Sequence, residues 1–330
     1  MSTPGRRVTS AEVAQHSGVS RATVSYVLNG NPNQSISSET RQRVFDAAER
    51  LGYTPSAPAR ALRSGRSDVV LFLLPEWPIG PTIARLVEDL TRTLAASGLT
   101  LLLHTHPRSA RPVADLWKAI TPAAVINHQA LTDDEAEALR RAGIPVIAPL
   151  YQFDGAGTFA DFQQAIGRTQ AEHLAATGHR RLGFALPDDD RLHAFAQPRL
   201  DGARQACIRL GLDHPVTRTV SLGTDSAVRA INHWRTARIT GVCAYNDEVA
   251  LAVLAGMRTR RLTAPADLAV IGVDNIPAGA LGDPALTTIT TGMPALGRHL
   301  AAAVLNTLDG KPTDPGPGQD VIQLIQRDSA

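Results

Sequence analysis

After residue 67 the chain carries seven apolar runs of five or six residues, separated by stretches of helical periodicity. They occupy 69–74 (VVLFLL), 99–104, 123–127, 145–149, 182–186, 241–245 and 268–273. Short runs without polar alternation suit strands covered on both faces. Strands that alternate with helices join into parallel sheets, because a parallel connection needs a crossover of a dozen or more residues. This many strands calls for two sheets. The expected body, 68–330, is therefore α/β.

In open α/β sheets ligands settle outside the carboxyl ends of the strands. Glu76 and Trp77 follow the first run, His128 the third, Asn246 and Asp247 the sixth, and Asp274 the seventh. Arg199 is expected to open a helix after the loop that follows 182–186. Carboxylates and amides accept hydrogen bonds from hydroxyls, arginine donates, and an aromatic face covers the apolar side of a ring. Glu76, Trp77, His128, Arg199, Asn246 and Asp274 thus form a candidate site for a sugar, a nucleoside or another polar metabolite. Competing readings stand beside it: Asp247 and Glu248 serve equally as helix caps, and Trp77 as core or dimer surface.

The first sixty residues follow another pattern. Thr9 and Glu12 form a capping box that opens a short helix ended by Gly18. Ser20 caps a second helix, Arg21 to Leu28, with Val24, Val27 and Leu28 at helical spacing. Ser37 caps a third, in which Val44, Ala47, Ala48 and Leu51 form one stripe and Gly52 closes it. Three short helices with a glycine turn between the first two describe a helix-turn-helix, whose second helix enters the major groove of DNA. Arg21, Ala22 and Tyr26 would then face base edges: arginine reads guanine, alanine touches a thymine methyl, tyrosine bonds a base or phosphate. Thr9, Ser20, Thr23 and Asn29 complete the DNA-facing candidates, the last three placed for phosphates, which position the protein without reading sequence. Periodicity alone equally allows a small helical bundle without a ligand.

Charge is distributed unevenly. Residues 1–66 hold nine arginines and four acids, a charge of +5, while the remainder carries −3. A basic start on a mildly acidic body suits a polyanion partner for the first part only.

The segments VTSAEVAQHSGVSRATVSYVLNG and SSETRQRVFDAAERLGYTPSAPARALRSGRS closely resemble the start of lac-repressor-type (LacI/GalR family) regulators. The shared positions include Val13-Ala14, Gly18-Val19-Ser20, Thr23-Val24-Ser25, Val27-Leu28-Asn29, Thr40-Arg41, Leu51-Gly52-Tyr53 and Pro55. Tyr26 stands where the family often has arginine, and the loop 31–36 is about two residues longer. The resemblance implies that 55–67 is a hinge that becomes helical on an operator. A leucine there, Leu62, wedges into the minor groove beside phosphate contacts from Arg63 and its neighbours. It extends through the body, on His173-Leu174, Thr177-Gly178-His179-Arg180-Arg181, Arg199 with Gly202, Asn246-Asp247-Glu248, Gly272-Val273-Asp274-Asn275 and Pro284 to Thr288. It implies a periplasmic-binding-protein-like arrangement of two Rossmann-like subdomains, with effector contacts at Arg199, Asn246 and Asp274. Asp161-Phe162 departs from the family's common Asp-Asn.

The expected organisation is a helix-turn-helix domain at 1–54, a hinge at 55–67 and an effector-binding and dimerisation domain at 68–330. The expected function is a ligand-responsive regulator, a repressor that binds a near-palindromic double-stranded DNA operator as a homodimer and senses a sugar or related metabolite. A solute-binding protein of the same fold would need an export signal and no helix-turn-helix. An enzyme would need a nucleophile, metal or cofactor constellation: there is no nucleophile elbow or phosphate-binding P-loop. The glycines at 155–157 follow no strand, and His104 and His106 lack a third ligand. No cofactor or metal is expected. Cys207 and Cys243 fit buried free thiols. The start lacks an apolar leader and no run reaches the roughly 18 apolar residues of a membrane span, so a cytoplasmic, membrane-free protein is expected.

Overall fold

The computed structural model describes residues 8–28, 35–53, 66–106, 113–127, 131–147, 158–313 and 321–330. They fall into two compact units, Met1–Asp68 and Val69–Ala330.

The first unit contains α1 (Ser10–Ser17), α2 (Arg21–Leu28) and α3 (Ser38–Leu51). The Glu12 carboxylate accepts from the Thr9 backbone N–H (2.8 Å) and hydroxyl (2.9 Å), which completes the capping box of α1. Gly18 ends that helix at φ 66°, a left-handed conformation that is strained for residues with a Cβ. Ser37 accepts from the Thr40 N–H at the start of α3. Val13, Ala14, Val24, Val27, Val44, Ala47 and Ala48 meet in one small core drawn from all three helices.

The second unit holds two sheets. In the first, β1 (Val69–Pro75), β2 (Thr100–His106), β3 (Ala124–Asn127) and β4 (Val146–Ile147) lie in the order β2-β1-β3-β4, all parallel. Helices α4 (Pro81–Ala96), α5 (Val113–Ile120) and α6 (Asp133–Arg141) connect them. The chain enters the second half through α7 (Phe159–Ala176), β5 (Leu182–Pro187), α8 (His193–Arg209), β6 (Val216–Val220), α9 (Thr224–Thr236), β7 (Gly241–Ala244) and α10 (Asp247–Thr259). Then follow β8 (Ala269–Val273), the short α11 (Pro277–Ala280), β9 (Thr287–Thr290), α12 (Met293–Leu308) and β10 (Gln323–Ile325). The second sheet has the order β10-β9-β8-β7-β5-β6, parallel except for β10. Helix α12 packs against α4 and the first sheet before β10 returns to the second. The halves are thus tied by more than one passage of the chain.

Each of the seven apolar runs contains a strand, the fourth at Val146–Ile147. The runs leave out β6 (VTRTV) and β9 (TTIT), because threonine fits a pleated sheet through its branched Cβ while reading as polar. Helix α8 also begins earlier than expected: Asp189 caps a short 3₁₀ turn that runs into it, so Arg199 lies inside the helix rather than opening it.

Two glycines set how α7 and α8 cross. A Cβ on Gly167 would stand 1.8 Å from the Arg199 carbonyl oxygen, and one on Gly202 would stand 1.9 Å from that of Gln164. Backbone therefore touches backbone in both directions. This close crossing brings the side chains of Gln163 and Arg199 together.

Candidate functional site

The first unit presents the start of α2. Val24 and Val27 are buried in the three-helix core, so the opposite side of the helix faces out. Arg21 and Ala22 are exposed there, and Tyr26 is half-buried. The Ser20 hydroxyl accepts from the Thr23 N–H (3.0 Å) and pairs with the Thr23 hydroxyl (2.9 Å), which fixes the helix start. Thr9 is exposed, with its hydroxyl turned to Glu12. Asn29, Leu62 and Arg63 lie outside the described residues.

In the second unit an open cleft of about 710 Å³ lies where strand ends of the two halves approach. Four of the residues expected from the sequence line it: Trp77 from the first half, and Arg199, Asn246 and Asp274 from the second. Glu76 does not; it is exposed, because Pro75 ends β1 and the chain turns so that Trp77 takes the inward position. The Glu76 charge still acts on Arg191. His128 lies outside the described residues.

Arg199 is only 4% exposed. Its Nε donates to Gln163 Oε1 (2.7 Å) and its Nη1 to the Tyr245 carbonyl (2.5 Å), while the guanidinium lies 4.8 Å from the Tyr245 ring centroid. These neutral partners fix the cation without cancelling it. Asp274 shares the cleft with it. Burial pushes the Asp274 pKa above the ordinary carboxylate range, and the Arg199 charge and the Thr82 hydroxyl draw it partly back. A fixed donor and a fixed acceptor in one cleft can both be met by a hydroxyl group, which donates and accepts.

The loop that carries Asp274 is held under strain. Asp274 and Asn275 have φ of 104° and 50°, conformations that residues other than glycine seldom adopt. Buried Asp247 over-determines this shape. Its Oδ2 accepts from the Ile276 N–H (2.8 Å) and its Oδ1 from the Thr288 hydroxyl (2.5 Å). A Cβ on Gly272 would stand 2.1 Å from Asp247 Oδ1, so glycine makes room for the carboxylate. From the C-terminal segment, Arg327 donates to Asn275 Oδ1 (2.6 Å) and to the Leu286 carbonyl (2.6 Å). Desolvation raises the Asp247 pKa to about 7, against the lowering effect of the hydrogen bonds from Thr288 and Ile276. Asp247 is thus a buttress of the loop, while Asn246 caps α10 through its Oδ1 on the Val249 N–H (2.9 Å).

Aromatic rings close one side. The Trp77 ring meets Phe195 edge-on at 4.4 Å and stacks on Phe159 at 6.2 Å, and Phe159 meets Phe195 at 5.1 Å. Sequence reasoning missed Phe162, Gln163, Phe195, Tyr245 and Glu248, all of which line the cleft. Tyr245 ends the sixth run and obeys the same strand-end rule as Asn246. Phe195 sits four residues before Arg199, on the same helix face. Phe162 is buried and supplies an apolar wall at the position of the Asp-Phe departure. Gln163 carried no signal of its own, since its place depends on the Gly167–Gly202 crossing. Among the described residues no group of three or more His, Cys, Asp or Glu is placed to hold a metal ion. Cys207 and Cys243 are buried and free.

Residues 9–56 match the family described as "Bacterial regulatory proteins, lacI family", and 171–330 match a periplasmic binding protein-like domain. An uncharacterised HTH-type transcriptional regulator in the aml 5′ region of Streptomyces limosus is 30% identical, over 90% of this chain and 87% of that one. The chain belongs to the lacI family. This lacI-family regulator is 29% identical to the HTH-type transcriptional regulator CelR of Thermobifida fusca, over 94% of both chains. Among solved structures, a transcriptional regulator CelR–cellobiose complex is 26% identical, with a TM-score of 0.62 over 98% of this chain and all of that one. The lac repressor dimer bound to operator and an anti-inducer has a TM-score of 0.79 at 22% identity, over 98% of this chain and 99% of that one, a likeness of fold. The protein is accordingly a transcriptional regulator and not an enzyme. Among the described residues no helix is long and apolar enough to cross a membrane.

Proposed function

We propose that this lacI-family regulator is a repressor that binds a near-palindromic operator as a homodimer, in the cytoplasm, and changes its grip on DNA when a sugar-like metabolite enters the cleft. The observation that carries the reading is the pairing of fixed Arg199 with Asp274 beside the Trp77–Phe195 rings, in a chain that also presents Arg21 and Ala22 at an exposed helix start. Hydroxyls satisfy the two poles and a ring face lies against the aromatics. Its structural relatives support both partners: one was solved with cellobiose and another as a dimer on operator DNA. One recognition helix reads few base pairs, so a second subunit supplies the needed specificity. Leu222 and Leu281 are strongly exposed for leucines and suit that subunit contact. On this reading 1–54 binds DNA, 55–67 is the hinge with Leu62 and Arg63 at the minor groove, and 68–330 senses and dimerises.

The test is a thermal-shift screen of the full chain against monosaccharides and disaccharides, cellobiose and ribose included, followed by operator titration with each stabilising sugar. A ligand that binds only the folded state raises its stability by mass action, by about 2.7 kcal/mol at a hundred times its Kd. A sugar that stabilises the protein and alters operator affinity is the expected result. Stabilisation by none of them, with specific DNA binding intact, would contradict the sugar reading.

A further inference from the structure

We infer that Glu248 makes the cleft a charge filter, admitting neutral hydroxylated sugars and turning away their acidic counterparts. This rests on the sugar reading above and adds the residue that sets the ligand's charge class. Among the described residues, three charged side chains line the cleft: Arg199, Glu248 and Asp274. The formal charges of these three side chains sum to −1. Glu248 sits at the start of α10, half-buried, and its Oε2 lies 3.7 Å from where a Cβ on Gly80 of the first half would stand. It thus bridges the two walls that a bound ligand would touch. Asn246 Nδ2 donates to Glu248 Oε2 at 3.4 Å, a long hydrogen bond to a neutral group that leaves the charge in place. The approach to the cleft repeats the bias. The loop before Leu192 carries Asp188, Asp189 and Asp190, and its one cation, Arg191, is bound by Asp189. Arg85 does not line the cleft; it lines an adjoining pocket that Asp274 also borders.

Arg199 by itself would invite an anion. Asp274 opposes this, because its buried carboxyl lines the same cleft and already draws on the Arg199 charge. A ligand carboxylate would compete for the same guanidinium and set a third negative group between Asp274 and Glu248. At separations of several ångströms in a partly desolvated site, each such encounter costs on the order of tenfold in affinity or more. A hydroxyl avoids the conflict, since it accepts from Arg199 and donates to either carboxylate.

The experiment uses matched pairs that differ by one carboxylate: glucose with glucuronate, galactose with galacturonate, and cellobiose with cellobionate. Thermal shifts of the full chain are followed by calorimetry on any pair that responds. The inference expects stabilisation by neutral members only. It also expects that Glu248→Gln narrows the neutral-over-acid preference about tenfold, while affinity for the neutral sugar changes less. An acidic member that binds wild type as tightly as its neutral partner overturns the filter while leaving the sugar reading standing. A preference unchanged in Glu248→Gln overturns the assignment to that residue. Silence across every pair counts against the sugar reading, and the filter falls with it.

Discussion

Arg21 and Asp247 show two ways in which one side chain bears on function. Arg21 stands exposed at the start of α2, where on the proposed reading its guanidinium would reach a base edge without disturbing the core at Val24 and Val27. Arg21→Ala is expected to cost about 1–3 kcal/mol on the cognate site and to relax preference at one base pair per half-site. Equal weakening on cognate and scrambled duplexes would mean a phosphate contact instead. Asp247 acts from inside. Its pKa is raised from 3.8 to about 7, so the folded state binds a proton that the unfolded chain has already lost. Its contribution is fully present below pH 4 and is lost as pH rises through 7, a fall of roughly 2 kcal/mol between pH 5 and 7. Urea unfolding across that range should show the decline in wild type and a flatter profile in Asp247→Asn. A wild-type profile without a decline would mean that the two hydrogen bonds keep Asp247 ionised. Residues at strand ends were legible in the sequence for a general reason: apolar runs reveal where strands stop, and Trp77, Asn246 and Asp274 follow directly. Glu76 failed by one position, because strand-end reasoning does not resolve which way the chain turns after Pro75.

Among the elements, α7 and α8 matter most to the cleft, since their crossing places Gln163 against Arg199. The close approach has no slack at Gly167 or Gly202. Gly167→Ala is expected to force the helices apart, to cost about 3 kcal/mol in stability and to weaken ligand binding together with it. Thermal unfolding and sugar titration on the same preparation test this, and an unchanged melting temperature would show that the crossing yields. The strand-helix alternation was legible because continuous apolar runs mark doubly covered strands. The helix boundaries of the first unit were legible because their caps are local: Thr9 with Glu12, Ser20, Ser37, and glycines at the ends of α1 and α3. What stayed hidden depends on contacts between distant segments. Strands β6 and β9 hide behind threonine, the true start of α8 behind a 3₁₀ turn, and the bond from Arg327 to Asn275 behind a sequence separation of 52.

At the scale of the whole molecule the proposal is one of coupling between a sensing cleft and a DNA-binding unit. A ligand shifts DNA affinity only by its differential affinity for the competent and incompetent forms. On the proposed hinge, Leu62→Ala should remove the minor-groove wedge, lowering operator affinity and bend angle together, while sugar affinity without DNA stays unchanged. Non-specific, salt-sensitive binding should largely survive, since arginine–phosphate contacts carry it. An unchanged bend and affinity would reduce the segment to a tether. The most direct measurement of the central claim is a closed cycle on the full chain. Operator affinity is titrated with and without saturating sugar, and sugar affinity is titrated with and without operator. The account predicts that both shift by the same factor, about 5- to 150-fold, and that Arg199→Ala abolishes the shift on either side. A sugar that binds in the cleft yet leaves operator affinity unchanged would contradict it.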